Sequence, residues 1–191
     1  MRLSDGYLAS GSSKSFGDPL LQEGIVMRLN LNGEVIWSRR IGSEASFEQF
    51  GEVIASRDES HFYFIGYTDG FGFGNDQSLF YGKIDSSGFL VWVKAAGVVG
   101  VESGGWSLIQ SEEGPIYIVG QYIEELGTDS DGRVLKIDPE SGDILASRII
   151  GNSGDDGFRK VSRLPDGSIL IGGVLQSSSS NNNLWLLTLS D

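Results

Sequence analysis

The segment FYFIGY at residues 62–67 recurs along the chain as GYLASG at 6–11, IYIVGQ at 116–121 and SILIGG at 168–173. The copies align on one glycine each, at spacings of 55, 54 and 52 residues: Gly11, Gly66, Gly120 and Gly172. Self-similarity at a period of this order is typical of a solenoid, a propeller or another repeat array. The chain is therefore predicted to build one structural unit nearly four times.

Two further landmarks follow the first segment in the same register. One is a turn sequence, found as RLNLNG at 28–33, KIDSSG at 83–88 and KIDPESG at 136–142. The other ends in glycine and is found as WSRRIG at 37–42, WVKAAG at 92–97 and ASRIIG at 146–151. The unit therefore repeats over its whole length and not in one motif alone.

The second copy reads as four short strands separated by polar turns. They are GEVIAS at 51–56, HFYFIGY at 61–67, SLFYGKID at 78–85 and FLVWVKAAG at 89–97. No segment carries a sustained helical period, so the helix content is predicted to be close to zero. A four-stranded antiparallel meander repeated in tandem is the blade of a β-propeller. A β-sandwich has no reason to repeat at a fixed period, and a parallel β-helix uses much shorter repeats.

The fold class predicted from this pattern is all-β, a β-propeller of about 3.5 blades that forms a partial ring. Residues 1–191 are expected to form one repeat domain, with a partial blade at 1–41, blades at 42–97 and 98–151, and a partial blade at 152–191. The blades hold three, four, four and three predicted strands, because the first lacks its opening strand and the last its closing strand. We therefore expect an arc of a larger propeller, or self-association through the unfinished edge blades.

Composition limits the possible partners. The 191 residues include 26 acids and 14 bases, a net charge of −12. This charge repels phosphate backbones and anionic lipid, so we expect neither nucleic-acid binding nor membrane insertion. Glycine is abundant at 28 residues, as expected of many turns between short strands.

Cysteine is absent, which excludes disulfides, thiolate zinc sites and a cysteine nucleophile. No apolar run is long enough for a membrane span, and no signal peptide is recognisable at the start of the chain. The strand pattern opens by Tyr7, which suggests a unit cut in the middle. We therefore expect a fragment of a longer protein.

The string GNSGDDGFRKVSRLPDGSILIGG at 151–173, with the pattern K-I-D-x-x-G-x-x-x-W at 83–92, resembles the bacterial seven-bladed β-propeller repeat family and its secreted relatives. The resemblance covers almost the whole chain. It implies propeller blades and an extracellular or cell-surface location. It implies no particular activity, since such repeats are mostly surface domains without assigned chemistry.

Loops after the second and fourth strands of each meander emerge at one end of the blades, which we call the long-loop end, and the tight turns emerge at the other. The long loops carry most of the candidate functional residues. Phe71 and Phe73, in a run of alternating glycines, could stack on a sugar or pack over the blade. Trp106 stands where other copies have Gly51 and Arg159, so the repeat does not require it, and a binding role is conceivable.

Calcium is the one metal with candidate ligands, because alternate oxygen side chains closed by glycine can wrap a hard cation. The candidates are Asp129, Asp131, Asp155 and Asp156. Asp and Gly are also ordinary turn residues, and no cofactor is expected otherwise. We predict no catalytic residues, since His61 is the only histidine and no nucleophile motif occurs.

Residues that recur in the repeat are expected to be structural. Trp37 and Trp92 share one position and are predicted to pack between blades. Bases recur in the third and fourth strands, and charge on the outer, fourth strands is expected to block edge-to-edge aggregation. They are Arg28, Lys83 and Lys136, and then Arg39, Lys94 and Arg148.

The sequence therefore predicts a non-catalytic repeat module, structural or binding, that contacts a protein or glycan at its long-loop end. Two alternatives stay open. One is a calcium-assisted or lectin-like carbohydrate binder. The other is a fragment of a propeller enzyme whose catalytic residues lie outside this chain.

Overall fold

The chain is all-β. The computed structural model describes residues 1–15, 22–42, 46–70, 77–97, 101–112, 114–123, 129–178 and 181–190, without the side chains of 177 and 178. Every regular element in these ranges is a β-strand, which confirms the prediction of an all-β chain nearly free of helix. No helix that could span a membrane occurs among the described residues.

Fourteen strands lie in the described ranges and form four antiparallel sheets. The first sheet holds β1 (Gly6–Ser13), β2 (Glu23–Asn30) and β3 (Val35–Ile41). The second holds β4 (Glu48–Ala55), β5 (His61–Thr68), β6 (Ser78–Asp85) and β7 (Leu90–Ala96). The third holds β8 (Glu102–Gln110), β9 (Ile116–Ile123), β10 (Asp131–Ile137) and β11 (Ile144–Ile150). The fourth holds β12 (Gly157–Arg163), β13 (Ile169–Ser178) and β14 (Asn181–Leu189).

Each sheet is a meander, since strands adjacent in sequence pair side by side. The strand numbers of three, four, four and three agree with the strand pattern read from the sequence. In the first sheet a short N-terminal segment takes part of the missing strand's place. Arg2 forms a single bridge with Tyr7, and the Leu8 N–H donates to the Met1 carbonyl at 2.9 Å.

Consecutive sheets pack face to face and enclose three hydrophobic cores. The first strand of each later sheet lies on the sheet before it: β4 on β1 and β2, β8 on β5 and β6, and β12 on β9. Along β5, Phe62 and Phe64 enter the core shared with the first sheet, while Tyr63 and Ile65 enter the core shared with the third. Because both faces of β5 are covered, the segment is apolar throughout and does not alternate with polar residues.

The first strands of the second, third and fourth sheets each carry one β-bulge at the same place. The bulged residues, which have no partner in the ladder, are Gly51 in β4, Trp106 in β8 and Arg159 in β12. A β-bulge inserts one residue, bends the strand and re-aims a side chain. The position that sequence alignment singled out at Trp106 is therefore a bulge throughout the repeat.

A glycine of the second strand faces each bulge, and here the sequence alignment is corrected. Phe158, next to the bulge, pairs with Gly173 and not with Gly172, just as Phe50 pairs with Gly66. A Cβ at Gly173 would clash with the Gly157 carbonyl oxygen, whereas one at Gly172 would meet only Leu186, at 3.7 Å. The glycine is required by the close approach of the bulged strand, and Gly173 fills that position.

The recurrent tryptophans lie under the hairpin turns of the next sheet. Trp37 Nε1 donates to the Ser86 carbonyl at 3.0 Å, and a Cβ at Gly88 would lie 2.9 Å from the Trp37 ring. Trp92 meets Gly142 in the same way, with 2.8 Å to the ring. The predicted packing of these tryptophans between repeats is confirmed.

Three of the recurrent bases contact the following sheet. Arg28 Nη1 donates to a carbonyl in the turn at 85–89 at 2.9 Å. Lys83, almost fully buried, and Lys94 pair with carboxylates of the turn at 138–143, at 3.0 and 2.5 Å. They therefore tie sheets together, and the protection of outer strand edges by charge stays a prediction.

Candidate binding surface

The three bulged residues lie side by side where the first strands meet, at the third to fifth residue of each strand from the long-loop end. A Cβ added at Gly51 would lie 3.3 Å from the Trp106 carbonyl oxygen, and the Arg159 guanidinium carbon stands 5.1 Å above the Trp106 ring. Because a bulge re-aims its side chain, the framework presents a different residue here in each repeat. We call the group Tyr67, Trp106, Gln121 and Arg159 the inner-strand surface.

Trp106 is partly buried between two side chains. Its ring lies edge-on to Tyr67 at 6.5 Å and under the guanidinium of Arg159. Its Nε1 is shielded from solvent and has no hydrogen-bond partner among the described residues. The Tyr67 hydroxyl donates to Gln49 Oε1 at 2.7 Å, which fixes the ring that supports Trp106.

Arg159 is held in place by neutral groups. Its guanidinium lies over the Trp106 ring, and its Nη1 donates to Gln121 Oε1 at 3.0 Å. The side chain is exposed and forms no ion pair with any described carboxylate. Neighbouring protein atoms displace part of its water, which lowers the pKa of Arg159 from its ordinary value.

The residues that follow the bulges form a second row beside the first. Glu52 in β4 accepts a hydrogen bond from the Ser107 hydroxyl in β8 at 2.7 Å and also pairs with Lys160 in β12. Glu52 thus contacts the next sheet and the one beyond it. The first strands of the second and fourth sheets therefore approach each other.

The acids predicted as calcium ligands are partly brought together. Asp155 and Asp156, at the start of β12, lie against residues 129–131 of the third sheet. Asp155 Oδ1 accepts the Ser130 N–H at 3.2 Å. A Cβ at Gly151 would contact carboxylate oxygens of both Asp131 and Asp156. Within the described ranges no group of three or more acids or histidines is arranged to hold a metal ion.

Asp156 has a structural explanation within the repeat. It is 1% exposed, and its two carboxylate oxygens accept the N–H groups of Asn152 and Gln176, both at 2.7 Å. Glu48 and Ser103 occupy the same place, three residues before their bulges, and are also buried. In each case the backbone N–H donates to a carbonyl of the preceding sheet: Glu48 to Gln22, Ser103 to Gln77 and Asp156 to Ser130. A buried polar residue therefore anchors each first strand, and calcium binding at these acids stays a prediction.

Two predicted ligand residues, Phe71 and Phe73, lie outside the described residues. Of the other predicted residues, Trp106 lies on the inner-strand surface, while Asp155 and Asp156 contact Ser130, which stands between Asp129 and Asp131 in the sequence.

The only histidine lies in a tight turn at the opposite end. Ser60 Oγ contacts His61 Nδ1 and Asp58 Oδ1, each at 2.8 Å. In a Ser-His-Asp triad the histidine stands between the other two residues, whereas here the serine does. The arrangement instead caps the turn, and the hydroxyls of Ser56 and Ser60 lower the pKa of Asp58.

The pKa values of aspartates in two other tight turns are lowered in the same way, whereas those of two buried tyrosines are raised. Hydrogen bonds from Ser168 lower the pKa of Asp166, and those from Ser141 and Glu140 lower that of Asp138. Desolvation raises the pKa of both Tyr63 and Tyr81 to about 12. These shifts belong to structural contacts away from the inner-strand surface.

A separate groove of about 410 Å³ opens on the outer side, between β3 and β7. Its charged groups are already engaged, because Arg39 Nε donates to the Gly88 carbonyl at 2.9 Å and Arg40 pairs with Glu23 at 3.1 Å. The inner-strand surface, with an uncompensated guanidinium, is the stronger binding candidate.

Sequence reasoning found Trp106 but not its partners. The signal for Trp106 was its departure from the repeat, and Arg159 carries the same signal at the same position. Tyr67 and Gln121 could also have been found, since each follows the glycine that faces a bulge. Only the packing of one sheet on the next shows that these positions of different repeats touch.

Comparison with known proteins adds to the fold and not to the function. No protein-family model and no curated protein matches the chain. A crystal structure of a protein of unknown function from Bacteroides caccae is similar, with a TM-score of 0.54 and 15% identity over 98% of this chain. The match spans 59% of that protein, so this chain covers less than two thirds of its length. At this identity the likeness concerns the fold alone, and the resemblance to propeller repeats stays a prediction.

Proposed function

We propose that the four sheets are consecutive blades of a β-propeller, and that this arc is a non-catalytic recognition module. Its ligand binds at the inner-strand surface, at the long-loop end. The observation that carries the binding proposal is the inner-strand surface itself. There, side chains that differ from one repeat to the next come together on a backbone that is the same in each repeat. The extracellular or surface location implied by the sequence resemblance belongs to the same proposal.

The convergence of the first strands supports the propeller. Sheets packed face to face lie about 10 Å apart, so alternate sheets in a straight stack would be separated by about 20 Å. The ion pair of Glu52 with Lys160 joins first strands that are two sheets apart. Blades arranged around an axis bring their first strands together in this way and spread their outer strands.

Cross-linking tests this arrangement, since the chain has no cysteine to interfere. The double variant Glu52→Cys/Lys160→Cys should be joined within one chain by a short bifunctional thiol reagent. The control is Arg39→Cys/Arg148→Cys, whose positions lie on outer strands that are also two sheets apart. Equal cross-linking of both pairs would indicate a straight stack and contradict the propeller.

The choice of side chains supports recognition over a purely structural role. At the bulge the framework accepts Gly51, Trp106 and Arg159, so the fold does not require an aromatic residue there. Tryptophan, tyrosine and arginine are the residues most enriched where binding energy concentrates. A partly exposed tryptophan between a tyrosine and an arginine is therefore a reasonable anchor for a ligand.

Trp106→Gly is the sharpest test of recognition, because the second sheet already carries glycine at this position. A mixed glycan and peptide array would be probed with the wild-type chain, with Trp106→Gly and with Phe89→Ser. Phe89 is 66% exposed in a turn at the opposite end of the blades. Ligands lost only in Trp106→Gly support the proposal. Ligands that respond to Phe89 and ignore Trp106 would place binding elsewhere.

A further inference from the structure

We infer that the inner-strand surface binds the carboxylate of a sugar acid, with Arg159 as the group that recognises it. The inference rests on the proposed recognition function and names its ligand class. Its starting point is the guanidinium of Arg159, which is held by Trp106 and Gln121 and has no carboxylate partner among the described residues.

Arg159 differs in this respect from the other two bases of β12. Lys160 is neutralised by Glu52, and Arg163 by Glu112. Arg159 contacts an aromatic ring and an amide oxygen, neither of which cancels its charge. An anion arriving there would form the ion pair that no described carboxylate supplies.

The geometry prepares the guanidinium for a planar anion. The guanidinium carbon lies over the Trp106 ring and the bond to Gln121 uses Nη1, so the Nε and Nη2 donors remain for a ligand. Arginine recognises a carboxylate through two such N–H groups in one plane. Because the side chain is already held, little rotamer entropy is lost on binding. Glycine at position 157 leaves room for the Arg159 guanidinium, since a Cβ there would lie 3.1 Å from Nη1.

The surroundings favour a ligand with one carboxylate and a neutral remainder. The chain carries a net charge of −12, which repels acidic peptides and other polyanions. Gln121 lies beside Arg159, while Tyr67 contacts Trp106 and bonds Gln49, and the amide and hydroxyl groups of these residues exchange hydrogen bonds with hydroxyls. Tyrosine and tryptophan offer apolar ring edges next to them. A sugar ring with a carboxylate matches this combination.

Isothermal titration of the wild-type chain tests the inference with four probes. They are D-glucuronate, its neutral methyl ester, acetate, and a short glutamate-rich peptide. Glucuronate should bind most tightly, and the ester should lose about tenfold or more in affinity, because a charge-assisted pair with arginine is absent. Equal binding of the ester overturns the role of the carboxylate. Equal or tighter binding of acetate or of the peptide overturns the sugar class.

Variants then assign the effect to Arg159. Arg159→Gln should weaken glucuronate binding by about tenfold or more, and Arg159→Lys should restore part of it, since lysine keeps the charge but not the fork. The matched control is Arg148→Gln, which removes the same charge from an exposed position on β11. Circular dichroism and thermal melting would verify that all variants are folded. Equal effects of Arg159→Gln and Arg148→Gln overturn the inference.

The outcome separates this inference from the proposed function. If array ligands depend on Trp106 but none of the four probes binds, the sugar-acid inference fails and recognition at the inner-strand surface stands. If neither array ligands nor probes respond to Trp106 or Arg159, both fail.

Discussion

Adjacent glycines in β13 differ in what their backbone approaches. Gly173 faces the bulge of β12 and has no room for a Cβ, while Gly172 has ordinary clearance. We predict that Gly173→Ala lowers the free energy of unfolding by about 1–3 kcal/mol, the usual cost of overpacking. Urea unfolding measures it, with Gly172→Ala as a control that should change little. Equal effects would contradict the assignment of Gly173 to the repeat.

Single aspartates of the tight turns also make the stability of the fold depend on pH. The hydroxyl and N–H of Ser168 lower the pKa of Asp166 below its ordinary value of 3.8. A carboxyl whose pKa is lower in the folded state stabilises the fold above 3.8, and this contribution is lost as the pH falls through the folded pKa. When the pH falls from 5 into the acidic range, Asp166→Asn should therefore lose less free energy of unfolding than the wild type. Urea unfolding of both chains at several pH values measures this. Ser168→Ala should act in the same direction, and unchanged pH dependence in both would contradict it.

Single residues also show how far the candidate site could be predicted. Trp106 was found because it breaks the repeat, although the reason for the variation, a bulge, was not visible. Arg159 was seen only as a counterpart in the alignment, because its contact with Trp106 joins residues 53 positions apart in sequence. Spacing within one repeat carries no information about such a contact.

The glycine of a hairpin turn can be required for two reasons. One is the local backbone conformation, and the other is packing against the neighbouring sheet. Gly33 and Gly88 occupy equivalent turns with φ of 83° and 85°, so a side chain strains both. Only Gly88 lies on a tryptophan, Trp37, while Gly33 has nothing within 4 Å.

We predict that Gly88→Ala destabilises the chain more than Gly33→Ala by about 1–3 kcal/mol, because it adds overpacking against Trp37 to the common backbone strain. Thermal and urea unfolding of both variants measure the difference. Equal losses would show that backbone conformation alone requires the glycine.

The strands themselves were largely predictable, since apolar runs bounded by turn residues are a local signal. β5 and β6 lie within one residue of the segments read from the sequence. The bulges were not predictable, because a bulge depends on how a strand pairs with its neighbour. One consequence was the displacement of the alignment from Gly173 to Gly172.

On the scale of the whole molecule, the last sheet leaves one apolar face open. Leu184 and Leu186 on β14 are 78% and 56% exposed, and they point away from the core that Trp185 and Leu187 join. The equivalent face of β6 is covered by the following sheet. We propose that a second copy of this chain covers the open face, in continuity with the internal packing.

We therefore predict that the isolated chain self-associates. The double variant Leu184→Glu/Leu186→Glu should shift it towards monomer in light scattering coupled to size exclusion, because two charges cannot be buried in an apolar contact. Leu145→Glu, at a 54% exposed position on β11, is the control. A wild-type chain that stays monomeric at all concentrations would contradict the prediction.

The sequence by itself determined the class of the chain, the number of strands and the identity of the repeated residues, because these depend on local apolar patterns and on a period of about 54 residues. Only the tertiary structure decided which variable residues act together. The bulges re-aim Trp106 and Arg159, the converging first strands bring them into contact, and no carboxylate of the described residues neutralises the guanidinium. Such neighbours are created by sheet packing between separate repeats, and no local pattern records it.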